Sequence, residues 1–263
     1  MKVRFLILVV IVLISGRFLQ AQELKVMTFN IYHGEQNYNP GKSNLEEVAK
    51  VINRYKPDFV ALQEVDSMTN RSAGLNEGTP FNQVAKLAEM TGMYGYFGKA
   101  IDFSNGGYGE GILSKEELSY KVHELHIPEG GEGRALIQVK YQKSNGETII
   151  FAGTHLCHQF DKNRKAQSKA ICQIYKHSDA AVILGGDFNF QPGTKPYKIL
   201  AKCFDDAAKI KGNPENTIPF HAPEQRIDYI FISQNTNWIV KDVKVIRNNA
   251  SDHMPVLVTL SLK

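Results

Sequence analysis

The chain predicts an α/β protein of two packed, mostly antiparallel mixed β-sheets with helices on the outside, and three observations carry that expectation. Strand-like hydrophobic runs and amphipathic helical runs recur in two successive halves, the pattern that packed sheets with covering helices produce. Short strands separated by Gly, Asn, Pro and Glu-rich turns fill the stretch between them. Several strands also meet polar clusters at their ends, at Asn30, Glu64, His155, Asp187 and Asp228, where a rigid scaffold presents chemistry.

Taken in order, Leu24–Asn30 reads as a strand. Ser43-Asn44-Leu45-Glu46 has capping-box spacing and introduces a helix through about Tyr55, with Leu45, Val48, Ala49 and Ile52 on one apolar face. Pro57-Asp58 opens a second strand over Phe59–Gln63, and an amphipathic helix at about Phe81–Met90 follows a polar loop. Strands are expected at Gly111–Ser114, Leu118–Leu125, Ala135–Tyr141 and Thr148–His155, then a helix at about Asp161–Lys176 and a strand at Ala181–Gly185. Three further strands begin near Ile227, Ile239 and Val256.

Residues 1–21 form a separate unit. Two positive charges precede the unbroken apolar run Phe5–Ile14, and Leu19-Gln20-Ala21 offers a small residue for cleavage, which is a signal-peptide layout. The run is shorter than the roughly 20 residues a membrane span needs. Export is therefore expected, periplasmic or secreted, with residues 22–263 as one domain. Removing residues 1–21 takes away Lys2, Arg4 and Arg17 and no acid, so the net charge falls from +4 to +1. A near-neutral chain without basic runs does not favour nucleic acid, whose binding draws on Lys and Arg against phosphates. Cys157, Cys172 and Cys203 lack metal-ligand spacing and allow at most one bridge; the expectation is small buried apolar residues.

Each polar motif has an ordinary structural reading when taken singly. Glu64 after Leu62-Gln63 could be a solvated strand terminus, Asn30 a turn former, His155 a satisfied core histidine, and Gly185-Gly186-Asp187-Phe188-Asn189 a glycine-rich turn. Their ordered combination is more specific. Phe29-Asn30, Leu62-Gln63-Glu64, Thr154-His155-Leu156, Gly186-Asp187-Phe188-Asn189, Ile227-Asp228-Tyr229 and Ser251-Asp252-His253 together resemble the motifs of the endonuclease/exonuclease/phosphatase superfamily. That group includes deoxyribonucleases, apurinic endonucleases, sphingomyelinases, inositol-polyphosphate phosphatases and deadenylases, and the resemblance covers about residues 24–262.

The resemblance implies a four-layer αββα sandwich with the site at one rim of the paired sheets. It implies a Mg²⁺-dependent phosphoesterase, with Mn²⁺ as a substitute, acting by in-line attack of an activated water. Glu64 would be the main metal ligand, with Asn30 beside it and Asp252 as a further ligand, a donor set that suits a hard cation. Asp187 would orient or deprotonate the water, while Asn189 and His155 would bind phosphate oxygens. His253 would be paired with Asp228, whose charge raises the imidazole pKa and fixes its tautomer.

Softer positions are Tyr108, similar to a phosphate-contacting tyrosine; Arg134, a phosphate contact or a surface arginine; and Arg71, a phosphate contact or a solvated loop arginine. His33 and His158 stand near the metal-site motifs. Phe29 and Tyr32 occupy the places where apurinic endonucleases carry Trp and Asp, which counts against DNA repair. The expected substrate is a lipid-, inositol- or sugar-linked phosphate ester, with a lipid headgroup left open and no obligate protein partner. An exported nuclease is the alternative, and a non-catalytic binding module on the same fold is the remaining reading.

Overall fold

The structure is a computed structural model that describes residues 23–143 and 146–263. The signal-peptide reading at 1–21 lies outside the described residues. Two six-stranded sheets form the centre. The first contains β1 (Glu23–Asn30), β2 (Phe59–Ser67), β3 (Tyr94–Phe103), β4 (Gly106–Ser114), β11 (Trp238–Val245) and β12 (Val256–Leu262), in the order β11-β12-β1-β2-β4-β3. The second contains β5 (Ser119–Leu125), β6 (Arg134–Gln142), β7 (Thr148–His155), β8 (Ala181–Asp187), β9 (Phe204–Asp206) and β10 (Asp228–Ser233), in the order β5-β6-β7-β8-β10-β9.

Both sheets repeat one plan: a central parallel pair, β1 with β2 and β7 with β8, flanked by antiparallel neighbours. A parallel pair needs a crossover, and helices supply it. Helix α1 (Leu45–Tyr55) joins β1 to β2, and α4 (Asp161–Tyr175) joins β7 to β8. The shorter helices are α2 (Asn70–Gly74), α3 (Gln83–Thr91), α5 (Lys195–Leu200) and α6 (Ala207–Lys211).

Strand alternation distributes the apolar residues into three layers of core. Val26, Ala61 and Ile112 of the first sheet meet Ile137, Phe151, Ile183 and Ile230 of the second. Met27, Val60, Leu62 and Leu113 point the other way, onto Val48 and Ile52 of α1 and Leu87 of α3. On the far side Leu136, Val182, Leu184 and Phe231 cover Ile171 of α4 and Leu200 of α5. The result is the expected four-layer αββα sandwich.

Several sequence expectations need correction. The helix at α1 begins after Asn44, whose side chain makes no capping hydrogen bond, so the capping box does not form. Strand β3 was not expected, because its alternation is broken by Gly95 and Gly98; both glycines sit where a side chain would crowd Val84 or Ile137. Cys172 and Cys203 form a disulfide, and only Cys157 is the small buried thiol the sequence suggested.

Candidate active site

Strands β1, β7 and β8 deliver their last residues, and antiparallel β10 its first, to one rim. Along β1 the residues Leu24 and Val26 belong to the inter-sheet core, and the same parity brings Asn30 to that face. Ile149 and Phe151 do this for His155, Ile183 for Asp187, and Ile230 and Ile232 for Asp228. Register then sets the neighbours: Asp187 is paired across the sheet with His155 on one side and Asp228 on the other. Directly paired residues share a face, so the three side chains form one row.

Glu64 reaches this face by a different route. The register of β2 against β4 shifts between Leu62 and Val65, and Glu64 there has φ +58°, a left-handed conformation. An unbroken strand would turn Glu64 toward the helix layer; the bulge re-aims it. Asn30 Nδ2 donates to Glu64 Oε1 at 3.0 Å and to Asp187 Oδ2 at 3.1 Å, which ties the two sheets together at the rim. Close approach elsewhere along the seam depends on small residues: a Cβ at Gly185 would stand 3.2 Å from Thr28 and 3.3 Å from Ala61.

Around Asp187 the geometry is dense. The Asn189 backbone N–H donates to Asp187 Oδ1 at 2.9 Å, and Asn189 Nδ2 lies 2.9 Å from His155 Nε2. His253 Nε2 is 3.8 Å from Asp187 Oδ2, and His253 Nδ1 is 2.9 Å from Asp228 Oδ2. Thr217, unremarked in the sequence, donates its hydroxyl to Asp228 Oδ2 at 2.6 Å while its carbonyl accepts from Met254 N at 2.8 Å. That loop residue therefore clasps both strand end and histidine loop, and no local sequence signal marks it.

Charge follows from burial and neighbours. Burial disfavours the His253 imidazolium, but the charge and hydrogen bond of Asp228, with Asp187 and Asp252, outweigh it and raise the pKa to about 10. Burial, and then the Asp228 charge, raises the Asp187 carboxyl. His155 is held well below its ordinary value by burial and by the Arg134 charge, so it is neutral. Asp187, Asp228 and His253 could gather a cation by proximity alone. Since Nδ1 of His253 is already engaged by Asp228, a proton-handling group is the better reading.

The cation-fitting donors lie beside that group. Burial pushes the Glu64 carboxyl up, yet His33, with Nδ1 at 3.7 Å, and the Asn30 amide outweigh it and leave it at about 2. Asp252 is raised by burial and then by Glu64, and Tyr32 is raised by burial and by Asp252, Glu35 and Glu64. Glu64 raises Asp252, and Asn30 turns its amide nitrogen to Glu64 and its oxygen to the Tyr32 N–H; carboxylate and amide oxygens gathered in this way are the donors a hard divalent cation takes.

Two arginines flank the acids. Arg134 is buried, paired with Glu132 and 3.0 Å from His158 Nδ1. Arg71 is not a solvated loop arginine: Nε and Nη2 bond Asp66 at 2.8 and 2.9 Å, and its guanidinium lies 4.5 Å over Phe103 and 5.1 Å over Tyr108. Tyr108 stands between these cations, its phenol raised by burial and by the Glu64 charge. All of the candidate residues thus collect at one rim. Cavities of about 420 and 280 Å³ open elsewhere, beside α3 and beside the disulfide, without any such gathering of acids and histidines.

The sequence pattern of the Endonuclease/Exonuclease/phosphatase family matches residues 27–253, which spans every one of these motifs. The chain belongs to that family. Endonuclease/exonuclease/phosphatase members act on phosphate esters, and the rim described above is where this member carries its polar machinery. Protein YbhP of Escherichia coli (strain K12) is 23% identical over 258 residues, 92% of this chain and 98% of that protein. The mannosyl-6-phosphatase Bt3783 of Bacteroides thetaiotaomicron shares the fold at TM-score 0.72 and 17% identity, with 91% of this chain and 100% of that one covered. The human Nocturnin catalytic domain does so at TM-score 0.72 and 21% identity, with 92% and 95% covered.

Proposed function

We propose that this endonuclease/exonuclease/phosphatase member is an exported, Mg²⁺-dependent phosphoesterase for a lipid-, inositol- or sugar-linked phosphate ester. One observation carries the reading: a carboxyl raised by burial, Asp187, faces an imidazolium held by Asp228, with His253 Nε2 3.8 Å from Asp187 Oδ2. Groups whose environments push their proton affinities in opposed senses are how one site runs acid and base chemistry near neutral pH.

Glu64, Asn30 and Asp252 would hold Mg²⁺, or Mn²⁺ in its place. The ion would supply charge neutralisation at the phosphoryl oxygens. Asp187 accepts a proton as a water oxygen attacks phosphorus in line with the departing ester oxygen. His253, kept protonated by Asp228, donates a hydrogen bond to a phosphoryl oxygen as negative charge accumulates there. Asn189 keeps Asp187 aligned through its backbone N–H and, with His155, lines the phosphate side. Tyr108, Arg134 and Arg71 flank the substrate.

Two features support export. Residues 1–21 have the layout of a signal peptide, and the Cys172–Cys203 bridge belongs to the kind of crosslink that persists in oxidising compartments.

The test is hydrolysis of a chromogenic phosphodiester and the matching monoester, in Mg²⁺ and in chelator, with His253→Ala as control. Turnover that needs Mg²⁺ and collapses in the variant supports the reading, and the preferred ester names the substrate class. Full rates in chelator or in His253→Ala would overturn it. Salt-suppressed nicking of plasmid DNA would favour the nuclease instead.

A further inference from the structure

The turn that follows β1 has an uncommon backbone. Tyr32, His33 and Gly34 are all left-handed, with φ of +49°, +42° and +69°. That conformation costs free energy for most residues other than glycine, and it persists only where the surroundings hold it. Gln83 of α3, fully buried, supplies the hold: its Nε2 donates to the His33 carbonyl at 2.6 Å, and its Oε1 accepts from the Asp66 N–H at 2.8 Å. The turn is thereby fastened to β2 just past the bulge that carries Glu64. A Cβ at Gly34 would lie 2.9 Å from both Gln83 Nε2 and Leu45 Cδ2, so the turn packs this closely only with glycine there.

This geometry places the His33 ring between two carboxylates. Its Nε2 is 2.9 Å from Glu35 Oε2, and its Nδ1 is 3.7 Å from Glu64 Oε2. Glu35 is fixed in turn, because its Oε1 accepts from the Gly41 N–H. Asn30 Nδ2 donates to the other Glu64 oxygen, Oε1, at 3.0 Å. Each oxygen of the Glu64 carboxylate therefore faces its own neighbour, an amide from β1 and an imidazole from the turn. At 3.7 Å the second contact is longer than a hydrogen bond and within ion-pair range, so it steers the carboxylate less tightly than Asn30 does. The His33 and Glu35 side chains are 13% and 19% exposed, which shields the pair from most competition by water.

We propose that His33 is a positioning residue for Glu64: braced by Glu35 at Nε2, its ring confines the carboxylate to the orientation in which Oε1 rests on Asn30 and the remaining lone pairs face the cation. This rests on the metal-dependent reading above, which gives no role to His33 or Glu35. Ligand carboxylates are commonly oriented by such neighbours, and removing one typically weakens metal binding about 10–100-fold.

The experiment measures the Kd for Mg²⁺ by calorimetry, Tm in chelator, and kcat on the chromogenic ester at rising Mg²⁺. His33→Gly removes the ring and accepts left-handed backbone, while His33→Asn keeps a donor near the place of Nδ1 on a residue that tolerates the same backbone. His33→Gly should raise the Mg²⁺ Kd about 10–100-fold, with kcat returning toward the wild-type value at saturating Mg²⁺. His33→Asn, whose shorter side chain needs no brace, should stay within about threefold of the wild type. Glu35→Ala should raise the Kd by about threefold to tenfold. Combined with His33→Gly it should add nothing, because Glu35 acts only through the ring. Wild-type Mg²⁺ affinity in His33→Gly overturns the inference, and so do additive losses in the double variant, which would mark the turn as structural only. Should His33→Gly not fold, wild-type Mg²⁺ affinity in Glu35→Ala overturns it equally. A wild type that binds Mg²⁺ and hydrolyses no ester sinks the phosphoesterase reading instead, so the two failures are distinguished.

Discussion

His253 Nδ1 stands 2.9 Å from Asp228 Oδ2, both side chains being buried, and this contact joins the loop before β12 to the first residue of β10. The pairing raises the His253 pKa from 6.5 to about 10. A group whose folded pKa is raised stabilises the fold fully below its unfolded value and loses that contribution as pH rises through the folded value. The Tm gap between wild type and His253→Gln should therefore be widest below pH 6.5 and close as pH passes about 10. Thermal melts across that range check it; a gap that widens with pH would contradict the charge assignment.

Asp228 is itself held by Thr217. Thr217→Val keeps the shape and deletes the donor that lies 2.6 Å from Asp228 Oδ2. The expected result is a loss of about tenfold in kcat, the scale of one charge-assisted hydrogen bond, with little change in KM. An NMR titration of His253 should shift in the same variant. Unchanged kcat would mean that the β10 strand alone fixes the carboxylate.

Glu64 makes a prediction about metal. The Glu64 carboxyl is held at about 2, so its charged form stabilises the fold above the unfolded value, and Glu64→Gln should melt below the wild type at neutral pH in chelator. Mg²⁺ at a hundredfold excess over its Kd should stabilise the wild type by about 2.7 kcal/mol and leave Glu64→Gln unmoved. Differential scanning fluorimetry with and without Mg²⁺ reads both effects, and an equal Mg²⁺ shift in the two proteins would remove Glu64 from the ligand set.

Gly186 controls how closely β7 and β8 run. A Cβ there would lie 2.3 Å from the Thr154 carbonyl oxygen, which is backbone and cannot swing aside. Gly186→Ala should lower stability by about 1–3 kcal/mol, as overpacking does. It should also depress kcat in the folded fraction, because His155 and Asp187 are register partners on those two strands. A variant with wild-type Tm would show that the strands separate freely.

The Cys172–Cys203 bridge closes a loop with a sequence separation of 31. Reduction, or Cys203→Ser, should lower stability by about 3–4 kcal/mol if loop-closure entropy dominates. Since the bridge links α4 to the segment before β9, away from the rim, turnover per folded molecule should persist. Denaturant melts paired with rate measurements separate the two effects.

Sequence alone determined the elements that carry long, regular periodicity and the identity of the polar groups at their ends. Asn30, His155 and Asp187 were legible because strand parity, once the core face is known, dictates which way the final residue points. Tertiary structure decided what depends on partners distant in the chain. Glu64 faces the site only because a bulge against β4 reverses its direction, and a bulge exists only between two strands. Thr217 sits in a loop and Arg71 in the short helix α2, both in polar sequence of ordinary composition; contact with Asp228 in one case, and with Asp66, Phe103 and Tyr108 in the other, gives them a role. Local pattern sets direction along a strand, whereas proximity, burial and the charge state that follows from them belong to the assembled sandwich.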